Sequence, residues 1–235
     1  MAENIQPSPN TEDDRRRLEM NVRRIDEAFD HDDLLRDGRL SLLDEIDAST
    51  FRLFRQELLW CLTRGLKRVE VEINSPGGNM FTGFALFDLI RRASKQFGAE
   101  IVTLGSGCVA SMASVIFQAG TRRLVTSNAM YMIHEVRTLR WGDDRISKVA
   151  DDFALLRRLQ EKAVAIYCER SALTREMIEQ KWERKDWWLD ANEMLELGLC
   201  DEVVDTSLGR REIVRPSLRQ GLEYDHMTPT HLCSG

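Results

Sequence analysis

The chain of 235 residues has no apolar stretch near the ~20 residues that a membrane-spanning helix needs, because charged residues interrupt its longest apolar runs. Residues 1–30 also lack the apolar core of a secretory signal. Walker-type glycine-lysine loops, dinucleotide glycine fingerprints and metal-ligand motifs are absent from the sequence as well. We therefore expect a protein without membrane association, without a cofactor and without a bound metal.

Cysteine is scarce and irregularly placed. The five cysteines are odd in number, and their spacing suggests neither a metal site nor a disulfide framework. Reduced thiols in a cytoplasmic compartment are the simplest interpretation. A net charge of −6 and a pI near 5.4 argue against general nucleic-acid binding. Hydrophobic content of 43% and charged content of 31% are typical of a soluble globular protein.

Three regions differ in composition. Residues 1–38 form a highly charged N-terminal arm, and residues 206–235 read as an irregular C-terminal tail. Between them, residues 39–205 alternate strand and helix patterns, which predicts an α/β fold with a mostly parallel sheet and right-handed crossovers. A long helix is expected at about 146–170. Active groups in such folds collect at the carboxyl ends of the strands.

Ser111 follows a glycine-rich segment and begins a short predicted helix, so two interpretations fit it. Serine is a good helix N-cap. A hydroxyl at the positive end of a helix dipole is also a favourable nucleophile, and the N–H of Met112 can then face an oxyanion. Ser106, in a predicted loop, and Ser114, three residues into the helix, are weaker candidates.

Histidine is scarcer still than cysteine, and three of the four histidines lie in the charged arm or the tail. His134 alone lies in core sequence, directly after an apolar strand, and imidazole is a base that titrates near neutral pH. An acid is needed to orient such a base. Asp186 precedes an apolar run that would hold it near the core, but spacing cannot choose it over Asp190 or Asp201.

A turn, Asn74-Ser75-Pro76-Gly77-Gly78, ends a strand in which apolar residues alternate. Pro-Gly-Gly suits an ordinary tight turn. The same glycines can bring a backbone N–H close to an oxyanion. The sequence therefore predicts either a structural turn or one wall of an acyl-transfer site.

Three motifs in this order resemble the proteolytic subunit of the caseinolytic (Clp-type) serine proteases. They are Ile73-Asn74-Ser75-Pro76-Gly77-Gly78, Ala110-Ser111-Met112-Ala113-Ser114 and Met132-Ile133-His134. The resemblance covers roughly Arg39 to Asp205. It implies a crotonase-like α/β fold with a stacked sheet-and-helix core and a protruding handle helix at about 141–170.

The resemblance also implies roles for residues. Ser111, His134 and Asp186 would form the catalytic triad, and the backbone N–H groups of Gly78 and Met112 would be the oxyanion donors. The activity would be that of a serine endopeptidase that cleaves polypeptide substrates inside a homo-oligomer of two stacked heptameric rings, a tetradecamer.

The sequence departs from the family pattern in three places. Glu135-Val136 stands where the family usually has glutamine and proline, Gly107-Cys108-Val109-Ala110 replaces glycine-glutamine-alanine-alanine, and residues 1–38 do not match the usual pore-loop segment. Docking of an ATP-dependent Clp-type unfoldase therefore stays open. The alternatives are a virus-encoded capsid-maturation protease of the same fold, a catalytically inactive ring paralogue, and a crotonase-like acyl-CoA enzyme.

Overall fold

The computed structural model of the protein describes residues 31–137, 146–183, 185–205 and 213–214. Most of the expected arm and tail, and the expected start of the handle at 141–145, lie outside these residues. The helices are α1 (residues 31–36), α2 (Ala48–Thr63), α3 (Met80–Phe97), α4 (Met112–Phe117), α5 (Ile146–Arg170), α6 (Arg175–Trp182) and α7 (Ala191–Glu196). The strands are β1 (Arg39–Leu42), β2 (Arg68–Ser75), β3 (Glu100–Ala110), β4 (Arg122–Thr126), β5 (Met130–Ile133), β6 (Trp187–Leu189), β7 (Glu202–Val204) and β8 (Ile213–Val214).

The strands form one sheet in the order β1-β2-β3-β4-β7-β8, with β5 paired to β3 and β6 paired to β5. The pairs from β1 to β4, and the pair of β4 with β7, are parallel, whereas β5–β6 and β7–β8 are antiparallel. Val69, Val71 and Ile73 of β2 are completely buried, in agreement with their alternation in the sequence. The predicted α/β class with a mostly parallel sheet is confirmed.

Strand β3 is long enough to pair with two successive partners along the same edge. Val102–Gly105 pair with β4, and Cys108–Ala110 pair with β5 in a parallel register. Because β5 is parallel to β3 and adjacent to its last residues, the two strands end side by side. The antiparallel pairing of β6 with β5 then brings the start of β6 to the same place.

Polar side chains and a glycine fix the ends of the first two long helices. The Asp47 carboxylate accepts the N–H groups of Ser49 and Thr50 at the start of α2. The Asn79 side chain caps α3, and Gly98 ends that helix with a left-handed φ of 57°. Asn79 directly follows Gly77 and Gly78, so its capping hydrogen bond also fixes these glycines relative to the start of α3.

The structure differs from the prediction in one strand boundary and in two short strands. The glycine-rich segment around Ser106 was expected to be a loop, but β3 continues through it to Ala110. The Asn74 side chain explains this, because its Oδ1 accepts the N–H of Cys108 at 3.0 Å and holds the segment against β2. β6 and β8 were not predicted, since strands of three and two residues are too short to show a period.

Candidate active site

Ser111 lies between β3 and α4 in a backbone conformation that side chains rarely adopt. With φ 55° and ψ −124°, it has the only positive φ of a non-glycine residue in the described part of the chain. Backbone conformations of this kind cost about 1–3 kcal/mol and are often found at functional sites. Although Ser111 precedes a helix, its side chain makes no capping hydrogen bond. The hydroxyl is therefore available for another contact.

That contact is with His134, the residue directly after β5. The pairing of β3 with β5 continues in a hydrogen bond from the Ser111 N–H to the Met132 carbonyl at 2.9 Å, and this sets the spacing of the two side chains. The Ser111 Oγ lies 2.7 Å from the His134 Nε2. The His134 Nδ1 lies 2.5 Å from the Glu135 carbonyl oxygen, an acceptor only, so the ring proton belongs on Nδ1. Nε2 is then free to accept the proton of the hydroxyl.

The Gly-Gly turn packs against the turn that carries Ser111 and is held by the loop before α2. The Ile46 N–H donates to the Gly77 carbonyl and the Asn79 N–H donates to the Ile46 carbonyl, both at 2.8 Å. The N–H groups of Gly78 and Met112 have no acceptor among the described residues. Two unused backbone donors beside a hydroxyl and an imidazole are the groups that could stabilise a tetrahedral oxyanion.

Asp186 lies near His134 but is not bonded to it. It directly precedes β6, and the pairing of Ile133 with Trp187 brings it to the end of β5. Asp186 and His134 line one cavity of about 230 Å³. Within that cavity the Asp186 carboxylate forms an ion pair with Arg137, and no hydrogen bond joins it to His134 in the described structure. The structure thus joins two of the three expected triad residues, Ser111 and His134, by a hydrogen bond. It places the third, Asp186, in a cavity beside His134 without a bond between them.

The two acids that the sequence could not separate from Asp186 have other partners. Asp190 caps α7, where its carboxylate accepts the N–H groups of Asn192 and Glu193. Asp201 binds the buried guanidinium of Arg123. Neither carboxylate is therefore directed at His134, and Asp186 is the one of the three that shares a cavity with it.

The two weaker serine candidates are also accounted for. The Ser106 hydroxyl donates to the Glu72 carboxylate at 2.6 Å. The buried Ser114 hydroxyl donates to the Ser111 carbonyl at 2.5 Å and accepts from the Tyr167 hydroxyl, which lies 2.6 Å away on α5. Burial raises the pKa of Tyr167 well above its usual value, so this hydroxyl keeps its proton. Ser114 therefore stabilises the turn that carries Ser111 through the hydrogen bond to its carbonyl.

The sequence analysis missed Tyr167 and Arg137, and it named Gly77 only as part of the Gly-Gly turn. Gly77 packs directly against the Ser111 turn, Tyr167 reaches it through Ser114, and Arg137 binds the candidate acid. Only Gly77 stood within a motif. Arg137 and Tyr167 had no local signal, because their importance depends on contacts between segments far apart in the chain.

The site opens into a cleft of about 680 Å³ between the sheet end and α5. Ser111, His134 and Gly78 lie on its wall. Its apolar lining includes Met112, Val115, Leu156, Leu159 and Ala163. Its charged lining consists of Glu45, Asp47, Arg137, Lys148 and Asp152. A mostly apolar cleft with a few polar groups at the reacting end is typical of a substrate-binding site.

The described residues contain no group of three or more His, Cys, Asp or Glu side chains that could hold a metal ion. In the same part of the chain, no helix combines the length and the apolar character needed to cross a bilayer.

Comparisons with known proteins agree on one family. The sequence model of the family described as Clp protease matches residues 24–207. The ATP-dependent Clp protease proteolytic subunit of Porphyromonas gingivalis is 28% identical over 175 residues, covering 73% of this chain and 76% of that protein. The corresponding subunit of Streptococcus mutans is 28% identical over 177 residues, covering 74% and 88%. Proteolytic subunit 1 of Chlamydia muridarum is 36% identical over 138 residues, covering 56% and 67%.

Proposed function

This chain belongs to the Clp protease family, and on that basis we propose that it is a serine endopeptidase, the proteolytic subunit of a Clp-type protease. Ser111 attacks the scissile carbonyl while His134 takes its proton at Nε2. The N–H groups of Gly78 and Met112 stabilise the oxyanion of the tetrahedral intermediate. His134 then protonates the leaving amine, and in the second half of the reaction it activates the water that hydrolyses the acyl-enzyme.

One observation carries this proposal: the Ser111 Oγ lies 2.7 Å from the His134 Nε2. The carbonyl acceptor beside Nδ1 assigns the ring proton to that opposite nitrogen. A serine hydroxyl is a weak nucleophile unless a base removes its proton during the attack. An imidazole nitrogen with a free lone pair at hydrogen-bond distance is such a base. The strained backbone of Ser111 supports the same role, because an ordinary helix cap would not need it.

Asp186 is the third residue of the proposed site. Its carboxylate shares a cavity with His134, and a rearrangement that frees it from Arg137 would let it bind the imidazole. In that position it would stabilise the imidazolium that forms when Ser111 loses its proton.

We also propose that the protein works as a homo-oligomeric chamber of two stacked heptameric rings, to which an ATP-dependent Clp-type unfoldase can deliver polypeptides. Helix α5 supports the assembly. Val149 and Phe153, one turn apart, are 52% and 62% exposed in the single subunit. Burying such an apolar stripe against a second copy would remove it from water. The particle should then have a mass many times 27.1 kDa.

The proposal is tested with a fluorogenic peptide substrate and a fluorophosphonate probe. Ser111→Ala should lower peptide hydrolysis by about 10³- to 10⁶-fold, the range for losing a triad residue, and should abolish labelling. The fold should survive, because the change removes a single oxygen atom. Ser106→Ala is the matched control, since Ser106 lies in β3, the strand that leads to Ser111, but its hydroxyl binds Glu72.

Labelling of Ser106 or Ser114 while Ser111 stays unmodified would reject the nucleophile. A correctly assembled protein that neither cleaves peptides nor reacts with the probe would instead favour an inactive member of the ring.

A further inference from the structure

The structure leaves the candidate acid bound to a cation rather than to the base. The Asp186 carboxylate pairs with the guanidinium of Arg137, three residues after His134. We propose that Arg137 is a positioning residue of this active site: it withholds Asp186 from His134, and the acid orients the imidazole only when Arg137 releases it. This inference rests on the proposed peptidase function.

The topology places both the Arg137 guanidinium and the His134 imidazole beside Asp186. Arg137 continues the chain beyond β5, and Asp186 immediately precedes β6, which pairs antiparallel with β5. Arg137, Asp186 and His134 therefore border the same cavity of about 230 Å³. The carboxylate can satisfy the guanidinium or the imidazole Nδ1–H. In the structure it satisfies the guanidinium.

The imidazole has a substitute partner in this arrangement. Its Nδ1 lies 2.5 Å from the Glu135 carbonyl oxygen, so the ring keeps the tautomer that leaves Nε2 free for Ser111. A carbonyl is a dipole and carries no net charge. It can orient the ring, but it stabilises the imidazolium less than a carboxylate would. The site with Asp186 on Arg137 is therefore a correctly oriented but slower Ser-His pair.

The strength of the ion pair decides how firmly Arg137 holds the acid. The Arg137 side chain is 69% exposed and the Asp186 side chain is 32% exposed. Pairs with such exposure are weak and screened by salt. Arg137 thus shifts a population between two arrangements and does not lock one of them. It also lines the substrate cleft together with Ser111, so that a bound peptide can reach the guanidinium and draw it away.

The first test is a double-mutant cycle on kcat. Arg137→Gln should raise kcat by about 2- to 5-fold at low salt, the factor set by an exposed ion pair. The same change in an Asp186→Asn background should have no effect, because the acid is then gone. Raising the ionic strength from about 0.01 M to about 1 M, which shortens the Debye length from roughly 30 Å to roughly 3 Å, should raise kcat of the wild type but not that of Arg137→Gln.

Two control variants each remove one positive charge at a position other than Arg137. Arg36→Gln breaks the ion pair between Arg36 and Asp33, in which the Arg36 side chain is 67% exposed. This pair is far from Asp186 in the sequence. Lys185→Gln removes a cation that lines the same cavity but forms no ion pair in the described structure. Neither should reproduce the gain. An equal gain in Lys185→Gln, or a gain that persists with Asp186→Asn, would show a general charge effect and overturn the role of Arg137.

A crystal or cryo-electron-microscopy structure of Arg137→Gln decides the question without an activity measurement. The Asp186 carboxylate should move to hydrogen-bond distance from the His134 Nδ1. A carboxylate that stays away from the imidazole would reject the inference even if Ser111 proves to be the nucleophile. If Ser111→Ala retains activity, the proposed function fails, while the movement of Asp186 still reports on Arg137.

Discussion

A methyl group at position 77 would reveal how closely the Gly-Gly turn packs on Ser111, the proposed nucleophile. Gly77 has a φ of 97°, and an added Cβ would lie 2.7 Å from the Ala110 carbonyl oxygen, 2.7 Å from the Ser111 Cβ and 2.8 Å from the Met112 nitrogen. Ordinary contact begins at 3.4 Å, about 0.7 Å farther out. None of these atoms can move away by rotating a side chain. The backbone of the Ser111 turn must shift instead.

The size of that shift sets the expected loss of activity. Misplacing a reacting group by about 1 Å can cost 10²-fold in rate, so we expect Gly77→Ala to lower kcat by about 10- to 100-fold. Alanine at a left-handed φ also costs about 1–2 kcal/mol. The reduced entropy of the unfolded chain offsets roughly 0.4–1 kcal/mol of this cost.

The matched control is Gly65→Ala. Gly65 has a similar φ of 88°, but an added Cβ would meet no atom within 4 Å. Both variants have an alanine at a positive φ, but only in Gly77→Ala does the added Cβ collide with the turn that carries Ser111. Peptide hydrolysis and thermal unfolding should show a small loss of stability in Gly65→Ala with kcat unchanged. Full kcat in Gly77→Ala, or an equal loss in both variants, would refute the packing argument.

Three further predictions concern the Tyr167–Ser114 hydrogen bond, the Arg123–Asp201 ion pair and the assembly. Tyr167→Phe removes the donor to the Ser114 hydroxyl, and should lower stability by about 1–2 kcal/mol and reduce kcat with KM unchanged. Burial raises the pKa of Asp201, but the hydrogen bonds from Arg123 outweigh it and hold that pKa below its usual value. The resulting stability is present above the unfolded-state pKa and lost as pH falls, so the thermal midpoint of the wild type should drop more steeply between about pH 5 and about pH 3 than that of Asp201→Asn. Phe153→Glu should lower the particle mass in native mass spectrometry towards 27.1 kDa while circular dichroism keeps the helical signal; an unchanged particle would exclude this face of α5 from the interface.

The sequence by itself determined the class of fold and the family. Alternation in β2, the Asp47 cap of α2 and the glycine after α3 are interactions within a few residues, and local patterns record such interactions directly. The order of three motifs indicated the Clp-type resemblance, and the family match over residues 24–207 confirms it. The roles of Ser111 and His134 remain predictions, although the two side chains meet as those roles require.

Tertiary structure alone decided how the site is assembled. The spacing of Ser111 and His134 depends on two strands pairing with successive parts of β3, and no local pattern encodes a pairing between segments distant in the chain. The partners of Asp186 and Asp201 likewise depend on contacts between segments that are distant in the chain. Asp186, Asp190 and Asp201 look alike in the sequence, because every aspartate carries the same carboxylate. The folded chain directs them to Arg137, to a helix N-terminus and to Arg123, since the partner of a charge is set by what packs beside it in three dimensions.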